Sequence, residues 1–399
     1  MSITAPLGFR AAGVTAGLKE SGDRDVAVVV NDGPSRAAAA VFTANRVQAA
    51  PVKWTRQVVS GGRVRAAVLN SGGANACTGP AGFQDTHATA EHLAAALSAD
   101  GADTGAGEIA VCSTGLIGER LPMDRLLPGV AAAAAEASRG GGLHAADAIR
   151  TTDTVVKIAF RRSPAPAGNG AAPAAGYTVG GMAKGAGMLA PALATMLCVL
   201  TTDADVPAAG LDAALRSATA VTFDRLDTDG CMSTNDTVLL LASGAAGVRP
   251  DHGEFTRTLT EVCADLARQL QLDAEGAGKM ITIEVVGAAS ERDAVTAGRA
   301  VARSNLLKCA IGGEDPNWGR VLAAVGTTDA VFDPDRVNVA VNGIWVCRHG
   351  AMGDARSKVD LSPRDVTITV DLSSGPHAAA ILTTDLTEAY VHENSAYPT

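Results

Sequence analysis

One stretch of the sequence, from Gly180 to Asp203, contains residue types that could perform covalent chemistry. It is predicted to begin as a glycine-rich loop that carries one lysine, Lys184, and to continue into an apolar run that Thr195 opens. A threonine hydroxyl becomes a nucleophile when a base removes its proton. Threonine is also a common strand residue, so the pattern leaves both interpretations of Thr195 open. Phosphate binding is disfavoured, because Gly185 follows Lys184 where the Walker motif requires serine or threonine.

Two further segments place small polar residues where chemistry could use them. Thr114 and Gly115 follow a predicted strand over residues 108–112, and such a strand end can expose backbone N–H groups, although an ordinary turn explains it equally well. The run from Thr151 to Thr154 contains three threonines around Asp153. Threonine and aspartate side chains commonly cap and turn the chain, so this run is equally open.

A cluster of aspartates between residues 223 and 236 raises the question of a metal site. The spacing does not match an EF-hand loop, and no glutamate stands at the closing position of such a loop. The sequence therefore predicts no metal site. The aspartates are Asp224, Asp227, Asp229 and Asp236.

The glycine-rich stretch resembles a known family. Its sequence, GGMAKGAGMLAPALATMLCVLTTDA over residues 180–204, is similar to the autoprocessing segment of the ornithine acetyltransferase (glutamate N-acetyltransferase) family. The resemblance extends over nearly the whole chain, from about residue 8 to the C-terminus, and includes Ala310–Arg320 and the tail from Asn394 to Thr399. It implies self-cleavage between Ala194 and Thr195, which would give associated fragments 1–194 and 195–399.

The resemblance also assigns roles to individual residues. It implies that Thr195 is the nucleophile, with its own α-amino group, freed by cleavage, as the base. Thr114 and Gly115 match the family's oxyanion pair, and one hydroxyl with one backbone N–H suits a developing negative oxygen. The implied substrate-binding residues are Thr152, or Thr151 beside it, together with Lys184, Thr195, Glu275, Asn394 and Thr399.

The implied activity is transfer of the acetyl group from N2-acetylornithine to glutamate, in the cyclic pathway of arginine biosynthesis. Two half-reactions through an acetyl-threonine intermediate predict ping-pong kinetics. We expect Lys184 to pair with the substrate α-carboxylate and Glu275 with the ornithine ammonium. No cofactor is expected. The sequence leaves open whether acetyl-CoA is a second acetyl donor and which amino acids besides glutamate accept the group.

Two other functions compete with this one. An N-terminal-nucleophile amidohydrolase or aminopeptidase would use the same cleaved threonine and pass the acyl group to water, so it would consume acetylornithine without an acceptor. A processed protein that only binds ligands is disfavoured, because the oxyanion pair, the lysine, the nucleophile and the tail match the family together.

Composition limits the remaining possibilities. The chain has 399 residues, 47% hydrophobic and 19% charged, which is typical of a globular protein with a large core. A net charge of −9 and an aromatic content of 3% argue against a nucleic-acid-binding surface. Alternating strand and helix signals without a dinucleotide-binding fingerprint predict a mixed α/β fold. The resemblance implies two α/β lobes, over residues 1–277 and 278–399, and two copies of each fragment.

The cysteines and the N-terminus favour a cytoplasmic protein. Seven cysteines are scattered without a CxxC pair, so we expect them to be reduced and mostly buried. The start of the chain lacks the basic and apolar regions of a signal peptide, and no apolar run approaches the length of a membrane span. The cysteines are Cys77, Cys112, Cys198, Cys231, Cys263, Cys309 and Cys347.

These candidate residues must be positioned by a predicted scaffold. Residues 1–24 show few periodic signals, and the short apolar runs 25–30 and 38–43 are predicted to be neighbouring strands. Apolar residues at three- and four-residue steps predict an amphipathic helix over 255–270. Asn342-Gly343 predicts a tight hairpin, and Asp315 is predicted to cap a helix that begins at Pro316.

Overall fold

The computed structural model describes residues 2–98, 103–163, 176–189 and 196–396. Within these ranges the chain forms strands and helices in mixed order, which confirms the predicted α/β class. The strands are β1 (Phe9–Val14), β2 (Val26–Asn31), β3 (Ala37–Phe42), β4 (Ala66–Asn70), β5 (Ile109–Ser113), β6 (Lys157–Arg162), β7 (Thr178–Lys184), β8 (Leu197–Thr202), β9 (Thr237–Ala242), β10 (Met280–Ala288), β11 (Asn338–Val341), β12 (Ile344–Arg348), β13 (Ala351–Met352), β14 (Asp365–Asp371) and β15 (His377–Thr384).

In the described ranges an α-helix directly follows seven of these fifteen strands. No helix of the described ranges has the length and apolar character needed to cross a membrane. The helices are α1 (Ala50–Ser60), α2 (Gly79–Ser98), α3 (Met123–Glu136), α4 (Gly142–Ala148), α5 (Ala208–Ala220), α6 (His252–Leu272), α7 (Glu291–Ala302), α8 (Asn305–Gly312), α9 (Trp318–Val325) and α10 (Glu388–Ala396).

The strands form three sheets, with the orders β1-β2-β4-β5, β3-β9-β8-β7-β6 and β13-β12-β11-β14-β10-β15. The first two sheets pack face to face, because side chains such as Val29 of β2 and Val199 of β8 share one apolar core. Helices α2 and α3 cover the outer face of the first sheet, and α5 and α6 cover that of the second. The result is a four-layer arrangement of helix, sheet, sheet and helix.

The third sheet has its own core, formed with α7, α8 and α9. It meets the four-layer part at the end of α6, where Gln271 Nε2 donates to the carbonyl of Ile281 at 3.1 Å and to that of Thr383 at 2.7 Å. The predicted division of the chain into lobes 1–277 and 278–399 stays a prediction.

β7 and β8 matter most for the site. They are antiparallel neighbours in the second sheet, with Val179 paired to Thr202 and Lys184 to Leu197. All residues of both strands are buried. β7 therefore delivers Lys184 at its end, and β8 begins two residues after Thr195.

The glycine-rich loop predicted around Gly180 and Gly181 is instead part of β7. A Cβ atom on Gly180 would lie 2.5 Å from the carbonyl oxygen of Ser2, and one on Gly181 would lie 2.8 Å from Leu200 Cδ2. These glycines therefore serve close packing inside a sheet rather than a turn.

The prediction that β2 and β3 are neighbours was also wrong, because the two strands belong to different sheets. Asn31, at the end of β2, donates through Nδ2 to the carbonyls of Ser35 and Ala242, both at 3.0 Å. These bonds fix the turn at the point where the chain crosses from the first sheet to the second.

One other local prediction needs correction, and one is confirmed. Residues 1–24, whose sequence shows few periodic signals, contain β1. Asn317 rather than Asp315 caps α9, which begins at Trp318, and its side chain accepts a bond from the N–H of Arg320 at 3.3 Å. The Asn342-Gly343 hairpin forms as predicted, with both residues at positive φ between β11 and β12.

Candidate active site

A cleft of about 380 Å³ opens where the ends of β5 and β7 meet the loop that follows α4, the C-terminal end of α6 and helix α10. Most of the predicted site residues line it, although they come from distant parts of the sequence. Ala194, Thr195 and Thr399 lie outside the described residues. The predicted residues that line the cleft are Thr114, Gly115, Thr151, Thr152, Lys184, Glu275 and Asn394.

The Thr114-Gly115 pair is held rigidly beyond the end of β5. The N–H of Thr114 donates to the carbonyl of Asn70, and its carbonyl accepts from the N–H of Gly73, both at 3.0 Å. Gly115 has a φ of 128°, and a Cβ atom there would lie 2.8 Å from the nitrogen of Gly73, so only glycine fits. Across the described part of the chain its N–H has no acceptor, which leaves it free to donate to a bound group.

Asn235 supports this pair, although sequence reasoning gave it no role. Its Nδ2 donates to the carbonyls of Ala74 and Ser113, at 2.6 and 2.8 Å. These bonds fix the residue before Thr114 relative to Ala74, which also lines the cleft. Asn235 is buried and lies in the sequence beside Asp236, in a segment whose aspartates raised only the question of metal binding.

Lys184 lies at the inner end of the cleft and is 1% exposed. Its Nζ donates to Thr114 Oγ1 at 3.4 Å and lies 4.0 Å from Asp153 Oδ2. Burial lowers the pKa of Lys184, and the Asp153 carboxylate opposes that effect. The lysine is therefore a buried cation beside the predicted oxyanion donor.

Asp153 lies between two lysines. Its Oδ1 accepts bonds from Lys157 Nζ and from the N–H of Gly185, both at 2.6 Å, and its Oδ2 accepts one from the N–H of Thr151 at 3.0 Å. Burial acts to raise the pKa of Asp153, but the Lys184 and Lys157 ammonium groups hold it at about 2. Sequence reasoning treated Asp153 as a turn residue. The signal that could have indicated its ion pair is Lys157, which lies four residues further along the chain.

Glu275 also lines the cleft. Its Oε1 accepts a bond from Thr152 Oγ1 at 2.7 Å, and its Oε2 accepts one from Asn394 Nδ2 at 3.0 Å. A Cβ atom on Gly187 would lie 2.3 Å from Glu275 Oε2, so the carboxylate rests directly on the backbone of that glycine. Of the two candidate threonines, Thr152 is the one that contacts this carboxylate.

Asp236 anchors the chain immediately after the predicted cleavage junction. The N–H of Met196 donates to its Oδ1 at 3.1 Å, and the carboxyl is fully buried. Among the described residues its Oδ2 has no hydrogen-bond partner. Burial raises the pKa of Asp236 well above its ordinary value.

The other aspartates of that cluster have separate partners. Asp229 accepts the N–H of Met188, which has a φ of 58°, at 2.6 Å. Asp227 pairs with Arg303 Nε at 2.7 Å. Within the described ranges, no group of three or more histidine, cysteine, aspartate or glutamate side chains is placed to hold a metal ion.

Comparison with known proteins identifies relatives of this chain. The sequence model of the ArgJ family matches residues 10–399. The arginine biosynthesis bifunctional protein ArgJ of Thermobifida fusca is 71% identical over 399 residues, which cover 100% of both chains. That of Streptomyces coelicolor is 63% identical over 397 residues, also covering 100% of both. A solved chain of ornithine acetyltransferase from Mycobacterium tuberculosis, complexed with ornithine, is 60% identical over 48% of this chain and 94% of its own, with a TM-score of 0.43.

Proposed function

This chain belongs to the ArgJ family, and we propose that it transfers the acetyl group of N2-acetylornithine to glutamate in arginine biosynthesis. The observation that carries the proposal is the single cleft that contains Thr114, Gly115, Lys184 and Glu275. Relatives that match the whole chain are named arginine biosynthesis proteins, and a solved relative has been crystallised with ornithine. Both facts support the same substrate class.

Self-cleavage between Ala194 and Thr195 would prepare the enzyme. The Thr195 hydroxyl attacks the Ala194 carbonyl, and the peptide C–N bond breaks as the hydroxyl proton passes to the Thr195 nitrogen. Water then hydrolyses the resulting ester, which leaves a carboxylate on Ala194 and a free α-amino group on Thr195. The anchoring of Met196 by Asp236 supports this site, because it fixes the chain directly after the junction. The fragments 1–194 and 195–399 would stay together, since β7 of the first pairs with β8 of the second.

The transfer then follows from the groups in the cleft. The α-amino group of Thr195, whose pKa in peptides is roughly 7.7–8.0, takes the hydroxyl proton as the oxygen attacks the acetyl carbonyl. The Thr114 hydroxyl and the Gly115 N–H donate to the tetrahedral oxyanion. Collapse passes the proton to the departing ornithine amine and leaves an acetyl-threonine ester. The amine of glutamate attacks that ester, and N-acetylglutamate leaves.

Substrate recognition uses two charged side chains that line the cleft, Lys184 and Glu275. We assign the substrate α-carboxylate to Lys184 and the ornithine ammonium to Glu275. Glu275 suits this role because its two side-chain hydrogen bonds come from neutral groups of Thr152 and Asn394. Among the residues that the structure describes, no cation forms a direct ion pair with it. Thr399 is assigned a substrate contact from the family resemblance.

A second activity and an assembly are also proposed. The relatives are named bifunctional, which supports use of acetyl-CoA as a second acetyl donor to glutamate at the same threonine. The family resemblance supports an assembly of two copies of each fragment. The seven cysteines form no disulfide, which supports the expected location in the cytoplasm.

The deciding experiment measures intact mass and transfer together. Wild-type protein is expected to separate into two fragments that divide between Ala194 and Thr195, Thr195→Ser should also be cut, and Thr195→Ala should remain one chain. Wild type should form N-acetylglutamate from acetylornithine and glutamate. A wild-type protein that is active without being cut would show that a freed α-amino group on Thr195 is not the base. Loss of acetylornithine at the same rate without glutamate would identify an amidohydrolase instead.

A further inference from the structure

A buried polar network connects the loop that carries Thr152 to the oxyanion donor Thr114. We propose that Asp153 is a positioning residue that keeps Lys184 charged and directed at the Thr114 hydroxyl, so that Thr114 donates its proton to the oxyanion. The inference rests on the proposed acetyl transfer, and it adds to it a reason why a lysine must be buried at this place.

The network is closed to solvent. The side chains of Asp153 and Lys157 are fully buried, and that of Lys184 is 2% exposed. Asp153 is the carboxylate between the two lysines, and Lys157 has a second partner in Asp273, whose Oδ2 lies 2.5 Å from its Nζ. Burying a charge is costly unless a counterion and hydrogen bonds compensate for it. Asp153 is therefore what allows a second buried cation, Lys184, to exist beside Lys157.

The direction of the Thr114 proton follows from the charge on Lys184. An ammonium group donates hydrogen bonds and accepts none, whereas a hydroxyl has one proton to donate and two lone pairs. When Lys184 is charged, its Nζ donates to Thr114 Oγ1, and the threonine proton must go elsewhere. A neutral Lys184 amine could accept that proton instead, which would turn the donor away from the oxyanion.

The charged groups around Lys184 and its burial together determine its pKa. Burial lowers the pKa of Lys184, the Asp153 carboxylate raises it, the Lys157 ammonium lowers it, and the Asp236 and Glu275 carboxyl groups raise it. The pKa of Asp153 at about 2 keeps that carboxylate ionised through the whole working range. Removing Asp153 should make Lys184 lose its proton at a lower pH, and removing the Lys157 charge should have the opposite effect.

The test is the pH dependence of kcat/KM for acetylornithine, measured with wild type, Asp153→Asn, Lys157→Met and Asp273→Asn. Opposite charges within about 4–6 Å commonly shift a pKa by 1–3, so Asp153→Asn should move the basic limb down by about one pH unit or more. That shift lowers kcat/KM about tenfold on the basic side. Lys157→Met should move the limb upward, and Asp273→Asn should move it less than Asp153→Asn does.

Intact mass and circular dichroism accompany each profile, so that cleavage and folding are known. A wild type without transfer would contradict the proposed function. A wild type that transfers normally, with Asp153→Asn leaving the basic limb in place or Lys157→Met lowering it, would overturn the inference alone. If Asp153→Asn does not fold, the upward shift in Lys157→Met decides. Failure of both variants to fold would assign the network to stability only.

Discussion

Asn394 Nδ2 donates a hydrogen bond to Glu275 Oε2 at 3.0 Å, which joins helix α10 near the C-terminus to the wall of the cleft. The bond spans 119 residues of chain. A second contact strengthens this docking, since the Thr387 hydroxyl donates to the carbonyl of Gly276 at 2.6 Å. The carboxylate that is assigned to the ornithine ammonium is thus oriented by a segment that lies 119 residues further along the chain.

Glu275→Gln should impair the use of acetylornithine more than that of glutamate. The substitution keeps the size of the side chain and removes the charge that pairs with the ornithine ammonium. A hydrogen bond to a charged group contributes about 1.5–3 kcal/mol, so kcat/KM for acetylornithine should fall by about tenfold or more. The two half-reactions are measured separately, with Glu393→Gln on the exposed face of α10 as the control. Equal losses for both substrates would contradict the assignment.

Gly187→Ala should displace the Glu275 carboxylate without changing its charge. The new Cβ atom would lie within 2.3–2.7 Å of the Glu275 carboxyl atoms, and the flexible side chain would have to move away. We expect a raised KM for acetylornithine and an almost unchanged melting temperature. Gly107→Ala is the matched control, because nothing lies within 4 Å of its added Cβ. An unchanged KM in Gly187→Ala would show that the position of Glu275 is not critical.

Asn394→Ala should weaken substrate binding modestly by releasing Glu275 and the end of α10. A typical hydrogen bond contributes about 0.5–1.5 kcal/mol, so KM should rise by roughly two- to tenfold with little change in kcat. Ser395→Ala serves as the control on the same helix, since that hydroxyl donates to the carbonyl of His392 and not to the cleft. A fall in kcat at constant KM would place Asn394 in the chemical step instead.

Lys308 should make stability depend on pH in the alkaline range. It is 3% exposed, and burial lowers its pKa to about 8. Its unfolded pKa is about 10.4, so between these values the unfolded chain binds more protons and stability rises with pH. The gain from pH 8 to pH 10.4 should be about 2.5 kcal/mol.

Urea unfolding of the uncut Thr195→Ala chain measures this effect in one covalent piece. The same chain with Lys308→Met should lack the alkaline gain, so the difference in unfolding free energy between the two should change between pH 7.5 and pH 10. If the unfolding free energies of the two proteins changed with pH in the same way, burial would not lower the pKa of Lys308 in the folded chain. Lys308 faces Asp227, Asp229 and Asp385, and these carboxylates limit how far its pKa falls.

Local sequence signals predicted the elements whose pattern is complete within a few residues. The Asn342-Gly343 turn and α6 are examples, because turn chemistry and helical period do not depend on distant contacts. The placement of β2 and β3 depends on which sheet each strand joins, and both are so uniformly apolar that no period distinguishes their faces. Gly180 and Gly181 were wrongly predicted to form a loop. They are glycines because Ser2 and Leu200, which are distant in sequence, leave no room for a Cβ atom.

The site residues came from the family resemblance, and the structure brings those that it describes into one cleft. Their supporting residues could not be found in this way. Asp153 has the local pattern of a turn aspartate, and its burial between Lys157 and Lys184 depends on how β6 and β7 pair. Asn235 has no local motif at all, and its role depends on contacts with Ala74 and Ser113.

The pairing of β7 with β8 would give the proposed self-cleavage a fixed place in the order of folding events. The junction after Ala194 lies between two adjacent strands of a buried sheet, so the chain must assemble this sheet before the oxyanion donors and Asp236 can be in place. Cleavage between Ala194 and Thr195 would then occur only in chains that have folded correctly. A misfolded chain would never expose a terminal threonine, and the cell would contain no active but wrongly assembled enzyme. The reaction that creates the nucleophile would thus double as an irreversible quality check on each molecule.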